Sequence, residues 1–261
     1  MADGSSPVRS ALQDVPVEGA RCLEAGAGVG NTTAALRAAG AADVVAVTNE
    51  RSHATDVRER FETDAPTGNE IDAPPGDETG APAGSETDRP TVLEADLQAT
   101  PLRDDSVSVV TAHALCNVVP STDLAAIVAE LTRVAEPGAW LVVDDYDPIP
   151  HEDLRALFAA ENAAAELTAG SPALTFYPAV HLRRLFESAG WHLEWERTLL
   201  DPVPWTVDLL DAHAELAREH ADALEESVAE ALQEEISRRR EALGDGVDTG
   251  RMYSLAFRLR E

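Results

Sequence analysis

Leu23-Glu24-Ala25-Gly26-Ala27-Gly28-Val29-Gly30-Asn31-Thr32-Thr33 decides how the rest of the chain is read. A short apolar run over 21–25 leads in and three glycines fall at every second position. Ala34-Ala35-Leu36-Arg37-Ala38-Ala39 then leads out with the composition of a helix. The pattern predicts strand, tight turn, helix. Glycine suits the turn because it accepts positive φ and lets the backbone approach a ligand where a Cβ would collide. Free N–H groups at the helix start make that end mildly electropositive. Asp43-Val44-Val45-Ala46-Val47 is short and β-branched, as buried parallel strands are. Together these pieces make a right-handed βαβ unit.

The dinucleotide fingerprint G-x-G-x-x-G does not fit. Counted from Gly26 its third glycine falls on Asn31, and counted from Gly28 on Thr33. The pattern present is E-x-G-x-G-x-G, from Glu24 to Gly30. It resembles motif I of the class I S-adenosylmethionine-dependent methyltransferases. The resemblance implies that Gly26, Gly28 and Gly30 pass under the amino-acid end of the cofactor and that Glu24 helps anchor it. An ordinary strand–helix loop could carry the same glycines, so the downstream motifs decide.

After the second strand come Thr48, Asn49 and Glu50. Folds of this kind place there an acid that grips both ribose hydroxyls, and Glu50 stands at the expected interval from Gly30. Asn49 competes for the role, and Glu50 could instead cap the helix expected over 52–61. The third strand is expected over 91–97. Asp96 at its end resembles the family's adenine-proximal acid, and Leu97 would donate its backbone N–H to the ring. Residues 101–106 resemble the segment before the fourth strand in the ubiquinone/menaquinone-biosynthesis branch of the family. Ala112, where that strand ends, joins the cofactor residues. Glu130-Leu131-Thr132-Arg133-Val134-Ala135-Glu136-Pro137-Gly138 resembles the family's E-x-x-R-V-L-K-P-G-G signature, with Ala139 replacing the second glycine of the pair. Leu185 to Trp191 resembles its L-x-x-x-A-G-F run.

The expected fold is therefore α/β: a doubly wound, mostly parallel seven-stranded sheet with helices on both faces, plus a helical cap. An N-terminal segment (1–20) is expected to be loose as far as residue 10. The core then spans 21–145 and contains a segment, 62–90, too rich in Pro, Gly, Thr, Asp and Glu to offset ordering entropy; it is expected to be disordered. A helical lid (146–177), a core helix and strand (178–200), a helical cap insertion (201–250) and a last strand (251–261) complete the chain. The resemblance implies a short hairpin where the cap insertion lies, and the cap is expected to cover the acceptor.

The resemblance implies methyl transfer from S-adenosylmethionine. That reaction is an in-line displacement with a neutral leaving group, so alignment and desolvation carry most of it. A base is needed only where the acceptor must lose a proton. His113, Asp144, Tyr146 and His151 lie near the expected site, and His113 and Asp144 are assigned as catalytic by position. Each also has a plainer reading, as a packed histidine, a solvated carboxylate or a lid aromatic. His113 and Cys116 have H-x-x-C spacing, but no second pair accompanies them, so no metal is expected. The acceptor is expected to be a small molecule. The alternative is a cofactor-binding module of the same fold that has lost turnover.

The formal charge of −28 arises from 48 acids against 20 bases, every one of them arginine. Abundant acid without lysine suits a protein kept soluble in high salt, where Debye screening mutes self-repulsion. This is read as a haloarchaeal signature. It disfavours nucleic acid as a partner, and Arg238-Arg239-Arg240, the one basic cluster, sits among acids. The two cysteines, Cys22 and Cys116, make no disulfide framework. No secretory leader and no apolar run of about 20 residues is seen, so a cytoplasmic location is expected.

Overall fold

The structure, a computed structural model, describes residues 6–62 and 89–260. The segment expected to be disordered lies, apart from its ends, outside the described residues. Five parallel strands come first: β1 (Arg21–Ala25), β2 (Asp43–Thr48), β3 (Thr91–Glu94), β4 (Val107–His113) and β5 (Ala135–Tyr146). β6 (Trp191–Leu200) follows. β7 (Pro204–Thr206) and β8 (Gly246–Asp248) pair as a separate ribbon, and β9 (Met252–Leu259) returns to the main sheet. The seven-stranded order is β3-β2-β1-β4-β5-β9-β6, with β9 antiparallel to both neighbours. The chain reverses its winding between β1 and β4, and such a switch point opens a crevice at the carboxyl ends of the strands.

Helices cover both faces. α2 (Asn31–Ala38) and α3 (Arg51–Glu62) lie on one; α4 (Leu124–Val134) and α6 (Ala179–Ser188) lie on the other. Ile127, Val128 and Leu131 of α4 and Leu182 and Phe186 of α6 pack on Val110, Leu141, Leu255 and Phe257. Alternation along the strands sends Cys22, Val44, Val109, Val142 and Ala256 to the opposite side, against Leu36.

The N-terminal segment departs from expectation. Pro7–Ala11 forms a short helix, α1, and Val8, Ala11, Leu12 and Val15 are buried against Cys22, Leu36 and Val44. Val8 and Ala11 lie one turn apart on α1, Leu12 is its C-cap, and Val15 follows after Asp14 turns the chain at φ +70°. Burial of these side chains holds a helix too short to persist alone.

Glu130 and Arg133, the acid and base of the E-x-x-R run, tie α4 to the turn before β4. Glu130 Oε1 accepts from the Thr100 backbone N–H at 2.7 Å and from its hydroxyl at 2.6 Å. Arg133 donates to both Glu130 oxygens, to the Leu102 carbonyl at 2.9 Å, and to Asp104.

The cap joins stretches far apart in sequence. α5 (Glu152–Ala169), α7 (Val207–Asp222) and α8 (Glu226–Ala242) share one apolar core with the ribbon. Ala160 and Ala164 of α5 and Ala214, Ala217 and Ala221 of α7 keep the helices close. Glu161 pairs with His213 at 3.0 Å, and Thr168 meets His220 at 3.2 Å seven residues on, so α5 and α7 run parallel.

Candidate active site

At the switch point lies a cleft of ≈ 340 Å³ lined by the ends of four elements. Gly26 and Gly28 line it after β1. Thr48, Asn49, Glu50 and His53 contribute the β2 side, and Asp96, Leu97 and Gln98 the β3 side. His113, Ala114 and Leu115 follow β4, and Val118, Val119, Pro120, Asp123 and Ile127 close it from above. Its size and its mix of apolar surface with a few polar groups suit a small molecule rather than a polymer.

The glycines have distinct reasons to be glycine. Gly26 has φ +77°, and a Cβ there would lie 2.7 Å from Leu115 Cδ1, a side chain of the cleft. At Gly30 a Cβ would press on Phe61 at 3.2 Å and Val57 at 3.3 Å, so this glycine lets α2 begin against α3 and does not line the cleft.

Of the acids read from the sequence, Glu50 and Asp96 both line the cleft. Glu50 is largely exposed, with its carboxylate 3.5 Å from His53 Nδ1, and its backbone N–H donates to Thr48 Oγ1 at 3.2 Å. Asp96 Oδ1 accepts from the Gln98 N–H at 2.8 Å, a short turn that holds its carboxylate at the end of β3. Asn49 and Leu97 line the cleft beside them. Glu24 does not. It is buried, and its carboxylate accepts from the Thr33 hydroxyl, which ties β1 to the first turn of α2. Ala112 is buried within β4 and also stands outside the lining.

His113 and Asp144 come together although 31 residues separate them. They are register partners on β4 and β5, and His113 Nδ1 lies 2.9 Å from Asp144 Oδ2. His113 is on the cleft wall, whereas Asp144 is buried behind it. A carboxylate only accepts, so this contact suits the tautomer with its proton on Nδ1, in which Nε2 is the accepting nitrogen. The next residue, Asp145, points to the other face; it is fully buried and accepts from the Asn117 N–H at 3.0 Å and the Tyr146 N–H at 2.8 Å. Asp145 thereby anchors the loop after β4 that supplies Leu115, Val118 and Val119. Tyr146 packs its ring against Trp205 of the cap at 5.4 Å. His151 stands apart from the cleft as the N-cap of α5.

Most of the lining that the motifs do not name comes from this loop and from the start of α4. The doubly wound order places residues 112–119 at the carboxyl edge of the sheet, but Leu115 to Pro120 matches no motif that says which of its side chains face the cleft.

Two buried carboxyls make stability depend on pH. Burial pushes Glu24 up to about 7, against hydrogen bonds from Thr33 and Thr32 that pull it down. Burial likewise pushes Asp145 up to about 7, against its two backbone hydrogen bonds. A folded state that keeps protons the unfolded chain has shed loses stability as pH rises from the ordinary carboxyl range to about 7, and the loss is complete above that. Glu24→Gln removes one of these groups. Urea denaturation in molar salt is expected to show it losing less stability than the wild type between pH 5 and 8, by on the order of 3 kcal/mol. Parallel curves for the two proteins would show that Glu24 does not hold its proton.

Residues 23–143 match the family model described as a methyltransferase domain. Among curated proteins, none matches the chain. Solved structures share the fold at low identity. An S-adenosylmethionine-dependent methyltransferase from Mesorhizobium loti is 15% identical, with a TM-score of 0.55 over 98% of this chain and 99% of that one. One from Methanosarcina mazei is 13% identical, with a TM-score of 0.56 over 94% of each. The cyclase SpnF is 14% identical, with a TM-score of 0.62 over 97% of this chain and 79% of that one. No helix among the described residues is long and apolar enough to cross a membrane.

Proposed function

We propose that this protein is an S-adenosylmethionine-dependent methyltransferase that methylates a small molecule in the cleft, with His113 as the base. The observation that carries the reading is the 2.9 Å contact between His113 Nδ1 and Asp144 Oδ2 on a residue that lines the cleft, with Nδ1 engaged and Nε2 the ring nitrogen left for an acceptor. The cofactor supplies a methyl group on a sulfonium and leaves as a neutral thioether. His113 would take the proton that the acceptor sheds on methylation, on Nε2. Asp144 holds the ring in orientation and offsets the charge it gains.

The cleft lining fits the cofactor. Glu50, with Asn49 beside it, would grip the ribose. Asp96 would accept from the adenine amine, with Leu97 donating its N–H, and Val118, Val119 and Ile127 would cover the apolar faces. Gly26 and Gly28 would let the amino-acid end lie against backbone. Glu24, Gly30 and Ala112 would act from behind, by fixing the start of α2 and the end of β4. Gly26→Ala tests the cradle. Strain at positive φ and displacement of Leu115 into the cleft are expected to weaken S-adenosylhomocysteine binding about tenfold by calorimetry. Unchanged affinity would remove Gly26 from the cofactor site.

Three acids on the cleft rim, Glu50, Asp96 and Asp123, argue against a polyanionic acceptor. The lysine-free acidic composition supports a haloarchaeal cytoplasm as the setting. Sharing a fold does not fix the reaction, as the cyclase among the structural neighbours illustrates. The deciding experiment incubates the protein in molar salt with methyl-labelled cofactor and a haloarchaeal metabolite extract. Label in a small molecule supports the reading. Cofactor binding with no transfer supports a regulatory module instead.

A further inference from the structure

We propose that Ser254 is a positioning residue for the His113–Asp144 pair, the third member of one row of side chains crossing β4, β5 and β9. This rests on His113 being the base. His113 is the register partner of Asp144, and Asp144 is the register partner of Ser254. Directly paired residues on neighbouring strands project from the same face, so the three side chains stand side by side. On the far side the row ends at the glycine loop: His113 lies two residues past Thr111, and Gly26 two past that residue's partner Glu24. Ser254 is thus at the deep end of a line that emerges in the cleft.

The polar atoms in this row are unequally satisfied. Asp144 Oδ2 bonds to His113, but Asp144 Oδ1 is buried with no hydrogen-bond partner among the described residues. The Ser254 hydroxyl, on a residue with no exposed surface, is also without one. An unpaired buried carboxylate oxygen and an unpaired buried hydroxyl are each costly. A hydroxyl is one donor on a freely rotating bond, and a carboxylate is acceptor-only. The two groups are chemically complementary on paired positions. Rotation of Ser254 toward Asp144 Oδ1 fixes the carboxylate plane, and the fixed plane holds His113 with its proton on Nδ1. Arg197, the register partner of Ser254 on β6, is committed elsewhere, to Asp14 and the Gln13 carbonyl. The other carboxyls that act electrostatically on this region are Glu24 from β1 and Asp145 from β5, and neither hydrogen-bonds to Ser254 or His113.

The test needs no acceptor. Imidazole ¹⁵N spectra of the protein saturated with S-adenosylhomocysteine report the His113 tautomer, with His113→Gln identifying the signals. The wild type is expected to hold the Nδ1–H form with a slowly exchanging proton. Ser254→Ala is expected to mix the tautomers and speed exchange of that proton about tenfold, as loss of one hydrogen bond to a charged group would. Ser254→Thr, which keeps the hydroxyl, is expected to restore the wild-type spectrum. A purely packing role makes the opposite forecast, because deleting an unpaired buried hydroxyl leaves the fold as stable or more so and the tautomer unmoved. An unchanged tautomer in Ser254→Ala, or no rescue by threonine, overturns the proposal. If the wild type itself lacks the Nδ1–H form, the base reading fails first and this inference falls with it.

Discussion

His113→Gln is expected to lower the methyl-transfer rate by about 10²–10⁴-fold, the usual contribution of a positioned base. S-adenosylhomocysteine affinity should stay within a few-fold of wild type. The asymmetry follows from the geometry. His113 occupies one wall of a cleft whose other polar groups, at Glu50 and Asp96, come from different strands and do not depend on it. Glutamine fills the same space and can still donate toward Asp144, so the β4–β5 register should survive. It offers no basic nitrogen at the Nε2 position. Single-turnover transfer of labelled methyl, read beside calorimetric binding, separates the two effects. Asp144→Asn should fall in the same direction, because an amide can hold the imidazole in the wrong tautomer. Undiminished transfer in His113→Gln would mean that the acceptor reacts without losing a proton to the protein. The cleft would then act by alignment and exclusion of water alone.

The parts of this site that could be read in advance are those that depend on local sequence. Gly26 and Gly28 are needed by a turn that closes within a few residues, and Asp96 and Glu50 each lie two residues past a strand whose apolar run is visible. The unreadable parts are set by register between distant strands. Nothing near Glu24 shows that its carboxylate turns back to Thr33, because that contact depends on how α2 leaves the glycine turn. Ser254 lies 110 positions from Asp144 and becomes its neighbour only because β9 runs antiparallel to β5. The cap is a similar case. Leu154, Leu157 and Leu210 each read as the apolar side of a helix, but that α5 joins α7 and α8 in one core is decided by packing. The helix over 7–11 was legible and is overlooked by any reading that treats a terminus as loose. Val8, Ala11 and Leu12 are its buried apolar residues, and only its brevity hides it.

Glu130→Ala should be the most destabilising of the single substitutions considered. The carboxylate is almost buried, accepts twice from Thr100, and is held down to about 2 by the Arg133 guanidinium beside it. Alanine strands the Thr100 N–H and hydroxyl as well as a half-buried arginine. Removing one partner from such a buried network costs about 3 kcal/mol or more. The pH dependence has a definite sign. A carboxyl whose folded value lies below its ordinary 4.5 contributes fully above 4.5 and loses that contribution as pH falls toward 2. Urea denaturation should therefore show a wide gap between wild type and variant at pH 7 that narrows at pH 3. A gap of equal size at both would assign the loss to packing rather than to charge. The effect should also reach the cleft. Thr100 is only a few residues from Asp96, Leu97 and Gln98, so freeing the turn loosens the wall that faces the cofactor base. Glu130→Ala should then bind S-adenosylhomocysteine more weakly although residue 130 touches none of it. Unaltered affinity in a destabilised variant would show that β3 alone, through its pairing with β2, holds Asp96 in place.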